Sequence, residues 1–256
     1  MSLRFSEREL RRLGDKDLAQ IQHGLHAAFK ERHPELGDIA LPVRPQKKNT
    51  KQPESIVIPS MELVVSKHVE RYIGLGFYRE VYPNLDDEEA TARYREDFAL
   101  PVSGVEQPEA HRGRFDVYLV VDPRINLPRQ HKRAKIAEYI DTGKITNLTQ
   151  FPRRPYVVFT HDANRYRPHT VDQAIAKFAG DEVGSPQVEV TALYLNYPQF
   201  FRDHGVDAAG SRYKSDYVPC LYTFHGRPEV GAYWSGDVSR YWGALSRGKE
   251  IIELGA

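Results

Sequence analysis

Between Tyr217 and Gly236 the chain reads YVPCLYTFHGRPEVGAYWSG, and no other stretch restricts its fold so closely. Val218, Cys220, Tyr222 and Phe224 alternate with other residues, and Val230, Ala232 and Trp234 do the same beyond a Gly226-Arg227-Pro228 turn. A period of two in both runs predicts a β-hairpin. A two-residue loop at Gly226-Arg227 pairs Thr223 with Val230 and Leu221 with Ala232, setting the two apolar runs on opposite faces. A five-residue loop pairing Phe224 with Val230 unites them, and because register follows burial the longer loop or a bulge is expected. Pro219 has no amide to donate, so its strand is expected at an edge or at an irregular start. Most aromatics on one face of the hairpin are expected in the core, with the polar residues flanking it as the candidate site.

Upstream, FDVYLVV at 115–121 and YVVF at 156–159 read as short buried strands. Each precedes a polar turn and a helical pattern, from Pro128 to Ile140 and, capped by Thr170, from Val171 to Ala179. Strand then helix, twice, suggests α/β organisation. Ser185 and Pro186 open a further helix through Val190, Leu193, Tyr194, Tyr197 and Phe201, which Pro198 should bend or break. Ser60 and Asp86 cap two earlier helices. Before them, Ser6 and Glu9 form a capping box, Leu18, Ile21, Leu25 and Phe29 repeat at helical spacing, and a Pro-rich stretch carries the basic run RPQKKNTK at 44–51. The expected organisation is a helical N-terminal extension and arm over 1–60 and a main domain over 61–256. The fold class is α/β or α+β, a small mixed sheet with packed helices and a C-terminal β-hairpin.

The 256 residues suffice for a substantial core. No apolar run approaches the roughly 18 to 20 residues of a membrane helix, and the N-terminus lacks the apolar stretch of a signal peptide. With one cysteine, Cys220, the chain forms no internal disulfide, and a cytoplasmic setting is expected. A net charge of +1 gives no general attraction to nucleic acid or acidic membrane.

Around the hairpin cluster Arg212, Asp216, Arg227, Asp237 and Arg240, with Ser211, Ser235, Trp234 and Trp242. Arginines beside carboxylates can hold a small anion, or form a surface ion-pair network that closes the hairpin ends. His161 and Asp162 follow a predicted strand, where a histidine oriented by a carboxylate can move protons, or where Asp162 and Asn164 simply make a turn. His23 and His26 lie three apart without a third ligand at zinc spacing, so no metal site is expected. Arg153, Arg154, Arg165 and Arg167, interleaved with Phe151, Tyr156 and Tyr166, are the best nucleic-acid signal, outweighed by the near-neutral charge. No GxGxxG, Walker loop, GxSxG or HExxH is present, which weakens four common enzyme classes without excluding others and leaves the cofactor open.

The block from Gly210 to Gly243 resembles the uncharacterised bacterial domain-of-unknown-function family 5701. Gly210, Ser211, Arg212, Val218, Pro219, Gly226 to Pro228, Gly231, Trp234, Gly236, Trp242 and Gly243 carry the likeness, while Asp237 and Tyr233 stand where the family has Asn and Trp. The resemblance implies a shared fold and candidate positions, without an activity. The resulting expectation is a binding or interaction module using Arg212, Asp216, Arg227, Trp234, Asp237 and Trp242, self-associating through its N-terminal helices. The alternative is an enzyme acting on a small anion with His161 as base.

Overall fold

The computed structural model describes residues 60–101, 106–237 and 241–255. The first two helices of the sequence reading, the basic arm, His23, His26 and Arg240 lie outside them. Among the described residues no helix is long and apolar enough to cross a membrane.

Helix α1 (Met61–Gly74) starts where the Ser60 hydroxyl accepts from the Leu63 amide at 3.3 Å. Its stripe of Met61, Val65, Val69 and Tyr72 enters the core. A single turn, α2 (Tyr78–Val81), leads to α3 (Asp87–Glu96), capped by Asp86. Then follow β1 (Val117–Val121), α4 (Leu127–Ala134), β2 (Ala137–Glu138), β3 (Ile145–Asn147) and β4 (Tyr156–Thr160). The remainder comprises α5 (Val171–Ile175), β5 (Glu182–Gly184), α6 (Gln187–Asn196), β6 (Gly205–Ala208), β7 (Ser211–Tyr213), β8 (Tyr217–Phe224), β9 (Arg227–Trp234) and β10 (Trp242–Glu253).

All ten strands join one mixed sheet, with a main path of β1-β4-β10-β6-β8-β7-β3. The fold is α+β. β1 and β4 run antiparallel, Val117 opposite Thr160, so the strand–helix–strand pattern is not a parallel crossover unit. The reason lies in α4, which ends at Ala134 where Lys135 turns left-handed at φ 56°. Ala137 and Glu138 then join β9 as a parallel strand instead of continuing the helix to Ile140. Pro198 acts as expected, since α6 stops at Asn196 and a 3₁₀ turn takes over.

The hairpin adopts neither expected register. His225 and Gly226 form a two-residue turn, φ 47° and 78°, and Phe224 pairs with Arg227. Two positive φ values give the turn whose twist matches that of the flanking strands. Leu221 therefore faces Val230 and Pro219 faces Ala232 on one side, while Cys220, Tyr222, Glu229, Gly231 and Tyr233 share the other. The expectation of core aromatics also fails. Val218, Pro219, Cys220, Leu221 and Val230 are its buried apolar side chains, and Phe224 and Trp234 are each 55% exposed. Pro219 lies between the pairing of Tyr217 with β7 and that of Cys220 with β6, a gap where no amide is needed.

Helix α6 crosses the first face of the sheet and packs Val190 and Leu193 with Leu221, Val230 and Leu245. On that face Arg247, 2% exposed, donates from Nε to Glu189 at 2.9 and 3.1 Å. The Tyr156 hydroxyl donates to the same carboxylate at 3.1 Å. Its Nη1 and Nη2 each donate to a backbone carbonyl, of Gly248 at 2.9 Å and of Gln150 at 3.2 Å.

Candidate functional site

The second face of the sheet carries a group of aromatics outside the two hydrophobic clusters. On β6 Gly205 and Asp207 point to this side, on β10 Trp242 and Ala244, on β8 Val218, Cys220 and Tyr222, and on β9 Glu229, Gly231 and Tyr233. Helix α5 covers one end, where Val171 and Ala174 pack on Val218 and Ala244. Beyond it Tyr222, Tyr233 and Trp242 are half-buried and pack on one another, Trp242 lying 5.2 Å from Tyr222 edge to face and 4.6 Å from Tyr233. One glycine makes room: a Cβ at position 205 would collide with the Trp242 ring.

Asp207 lies among these rings, opposite Cys220 on β8 and Ala244 on β10. It is 8% exposed, and its carboxyl has no hydrogen-bond or ion-pair partner among the described residues. Burial without compensation pushes its carboxyl up to about 8, so at neutral pH it is chiefly protonated. The Cys220 thiol is likewise raised, by burial first and then by the neighbouring carboxyl. Tyr222 and Tyr233 are raised chiefly by burial. Glu229, also buried, accepts from the Tyr139 hydroxyl at 3.4 Å. An unpaired buried polar group costs roughly 1–3 kcal/mol. Aromatic faces beside such a carboxyl form a setting suited to a cation, which would bring the missing counter-charge.

His161 is engaged elsewhere on the same face. Its Nδ1 accepts from the Ala163 amide at 2.9 Å, and its Nε2 lies 2.8 Å from the Ser246 hydroxyl and 3.3 Å from the Ser246 amide. Ser246 in turn bonds Glu182, which also accepts from Tyr166 at 2.7 Å and from Arg114 at 3.3 Å. Burial pushes His161 down to about 4, so it is a neutral, pinned ring. Asp162 makes the turn, accepting from the amide and side chain of Asn164 at 3.0 and 2.6 Å.

The polar residues of the hairpin divide between its two ends. Arg227 stands at the His225-Gly226 turn and Trp234 at the other end of β9, about 23 Å away at 3.3 Å per residue. Arg212 donates to the Ser211 and Ala209 carbonyls and lies 3.5 Å from Asp172, to which Ser235 also donates at 2.9 Å. Those contacts tie the hairpin end to the first turn of α5. Asp216 is exposed and accepts the Ser235 amide at its backbone carbonyl, and the exposed Asp237 donates its amide to the Trp234 carbonyl. Of the six sequence candidates, only Trp242, whose ring lies over Gly205, belongs to the aromatic group on the Asp207 face. The aromatic half of the nucleic-acid signal is internal, since Tyr156 and Tyr166 are buried and Phe151 stacks on Tyr156.

Sequence reasoning missed Asp207, Tyr222, Tyr233 and Glu229 as a group. The signal was present in GVDAAG, an acid flanked by valine and alanine in a run too apolar for a surface loop. No protein-family model, curated protein or solved structure matches the chain.

Proposed function

We propose that this chain is a binding protein, and that it receives a small organic cation on the aromatic side of its hairpin, over Asp207. The unpartnered, nearly enclosed carboxyl of Asp207 carries this reading. Unsatisfied buried groups are uncommon in folded proteins, and each calls for an explanation. A cation above Tyr222, Tyr233 and Trp242 would supply one, favouring ionisation of Asp207 with release of its proton to solvent and gaining both charge pairing and contact with the ring faces. The likeness to family 5701 supports the same location, because Gly231 and Trp242 belong to the block that carries it, and membership of that family is part of the proposal. So is a cytoplasmic setting, with which a buried free thiol at Cys220 agrees. An enzyme built on His161, Arg212 and Arg227 draws no support from their placement, since His161 and Arg212 are occupied by structural bonds.

The test uses Trp242 as reporter in a Trp234→Phe background, which leaves one tryptophan of two. Titration with methylammonium or tetramethylammonium should quench it saturably and release close to one proton per cation at pH 7, read by calorimetry in buffers of different ionisation enthalpy. Asp207→Asn should abolish both signals. Absence of saturable quenching, or quenching that survives Asp207→Asn, would remove this site.

A further inference from the structure

A cavity lies between helix α1 and the end of α6. Residues Val64, Lys67, His68 and Arg71 follow one another at helical spacing along α1 and face the turn that ends α6, at Tyr197 and Pro198. The cavity is open, with a volume of about 410 Å³. Lys67 and Arg71 are four apart on one face, a like-charge arrangement that is unfavourable within a helix. Neither has an ion-pair partner among the described residues, and no carboxylate lines the cavity. Glu70, the acid between them in sequence, is held on another face by Arg95 at 2.7 Å.

His68 provides a third donor. Its Nδ1 accepts from the Val120 amide at 3.3 Å, which assigns the proton to Nε2, and Nε2 has no acceptor among the described residues. The ring is 5% exposed and meets Tyr197 edge to face at 5.2 Å. Burial pushes the imidazole down to about 3, so it stays neutral and serves as a fixed N–H rather than a proton shuttle. Val64 and Pro198 supply apolar wall. Pro198 itself explains the cavity: with no amide to extend α6, the chain turns away and leaves the groove beside α1 unfilled.

The geometry points to a binding site for a small organic anion, an apolar body bearing one phosphate or carboxylate group held by Lys67, Arg71 and the His68 N–H. Residues bearing a guanidinium fork, an ammonium and a fixed N–H line one wall of the cavity, which is the donor set that an anionic group requires. This assignment is independent of the cation site over Asp207.

Calorimetric titration at low salt with phenyl phosphate and with inorganic phosphate tests it. Phenyl phosphate should bind saturably and more tightly than phosphate. The Lys67→Ala/Arg71→Ala double variant, which alters two exposed side chains, should weaken it tenfold or more, and Asp207→Asn should leave it unchanged. No saturable heat below about 10 mM, where binding is worth less than about 3 kcal/mol, overturns the proposal. So does equal affinity in the double variant, or phosphate binding as tightly as phenyl phosphate.

Discussion

Replacing Asp207 by asparagine should stabilise the protein, by an amount that depends on pH in a calculable way. Asparagine reproduces the shape of the protonated carboxyl but cannot ionise. In the unfolded chain an aspartate titrates near 3.9, whereas in the folded protein burial has moved Asp207 up to about 8. The folded state therefore holds the proton more tightly. Its advantage is complete below the unfolded value and is lost as pH rises toward the folded one, at about 1.4 kcal/mol per pH unit. At pH 4 the variant and the parent should unfold alike. By pH 7 the parent should have lost about 4 kcal/mol that Asp207→Asn retains, the product of about three pH units and that slope. Urea unfolding of both proteins at pH 4, 5.5 and 7 reads the difference directly. The surroundings that set it are Cys220, Tyr233 and the aromatic cover, none of which ionises in this window. A stability difference that stays constant across the three pH values would refute the reasoning, because Asp207 would then be ionised in the fold or titrating normally. A cation bound at the site should narrow the difference by favouring the ionised parent.

The remaining predictions concern stability. Arg247→Met should destabilise by about 3–5 kcal/mol in chemical denaturation, since it strands the Glu189 carboxylate beneath α6. Adding Glu189→Leu to that variant should recover most of the loss, because both buried charges are then gone. Gly226→Ala should cost about 1 kcal/mol or more by thermal unfolding, because φ at this turn position is 78° and a Cβ resists it. The neighbouring His225→Asn should stabilise slightly by the same measurement, asparagine tolerating its φ of 47° better.

What could be read from the sequence follows from what local patterns encode. Ser60, Asp86 and Thr170 announce helices because a cap is a bond over three residues, and all three cap in the fold. The apolar runs YLVV and YVVF predict strands for similarly local reasons, but their antiparallel pairing is decided by where the chain goes after Lys135. The hairpin register was hidden because histidine, not asparagine or aspartate, precedes Gly226 in a turn that requires two positive φ values. Trp242 was legible as a candidate, whereas Asp207 was not, since its isolation depends on three strands that meet only in the folded sheet. His161 and Asp162 illustrate the reverse: a suggestive pair in sequence proves to be a pinned ring and a turn.

Strand β10 follows every other described strand in the chain, yet it lies between β4 on one side and β6 on the other. The β1-β4 pair and the β6-β8-β9 ribbon consequently have no common neighbour until residues 242–253 arrive. Before that moment each presents an unpaired edge, the condition in which strands recruit other chains. Closing the gap also joins segments far apart along the polymer, a slow step because chain entropy must be lost before the new bonds are gained. The last described strand thus acts as the keystone of assembly, and a chain interrupted before it would hold two incomplete sheets, each open to aggregation.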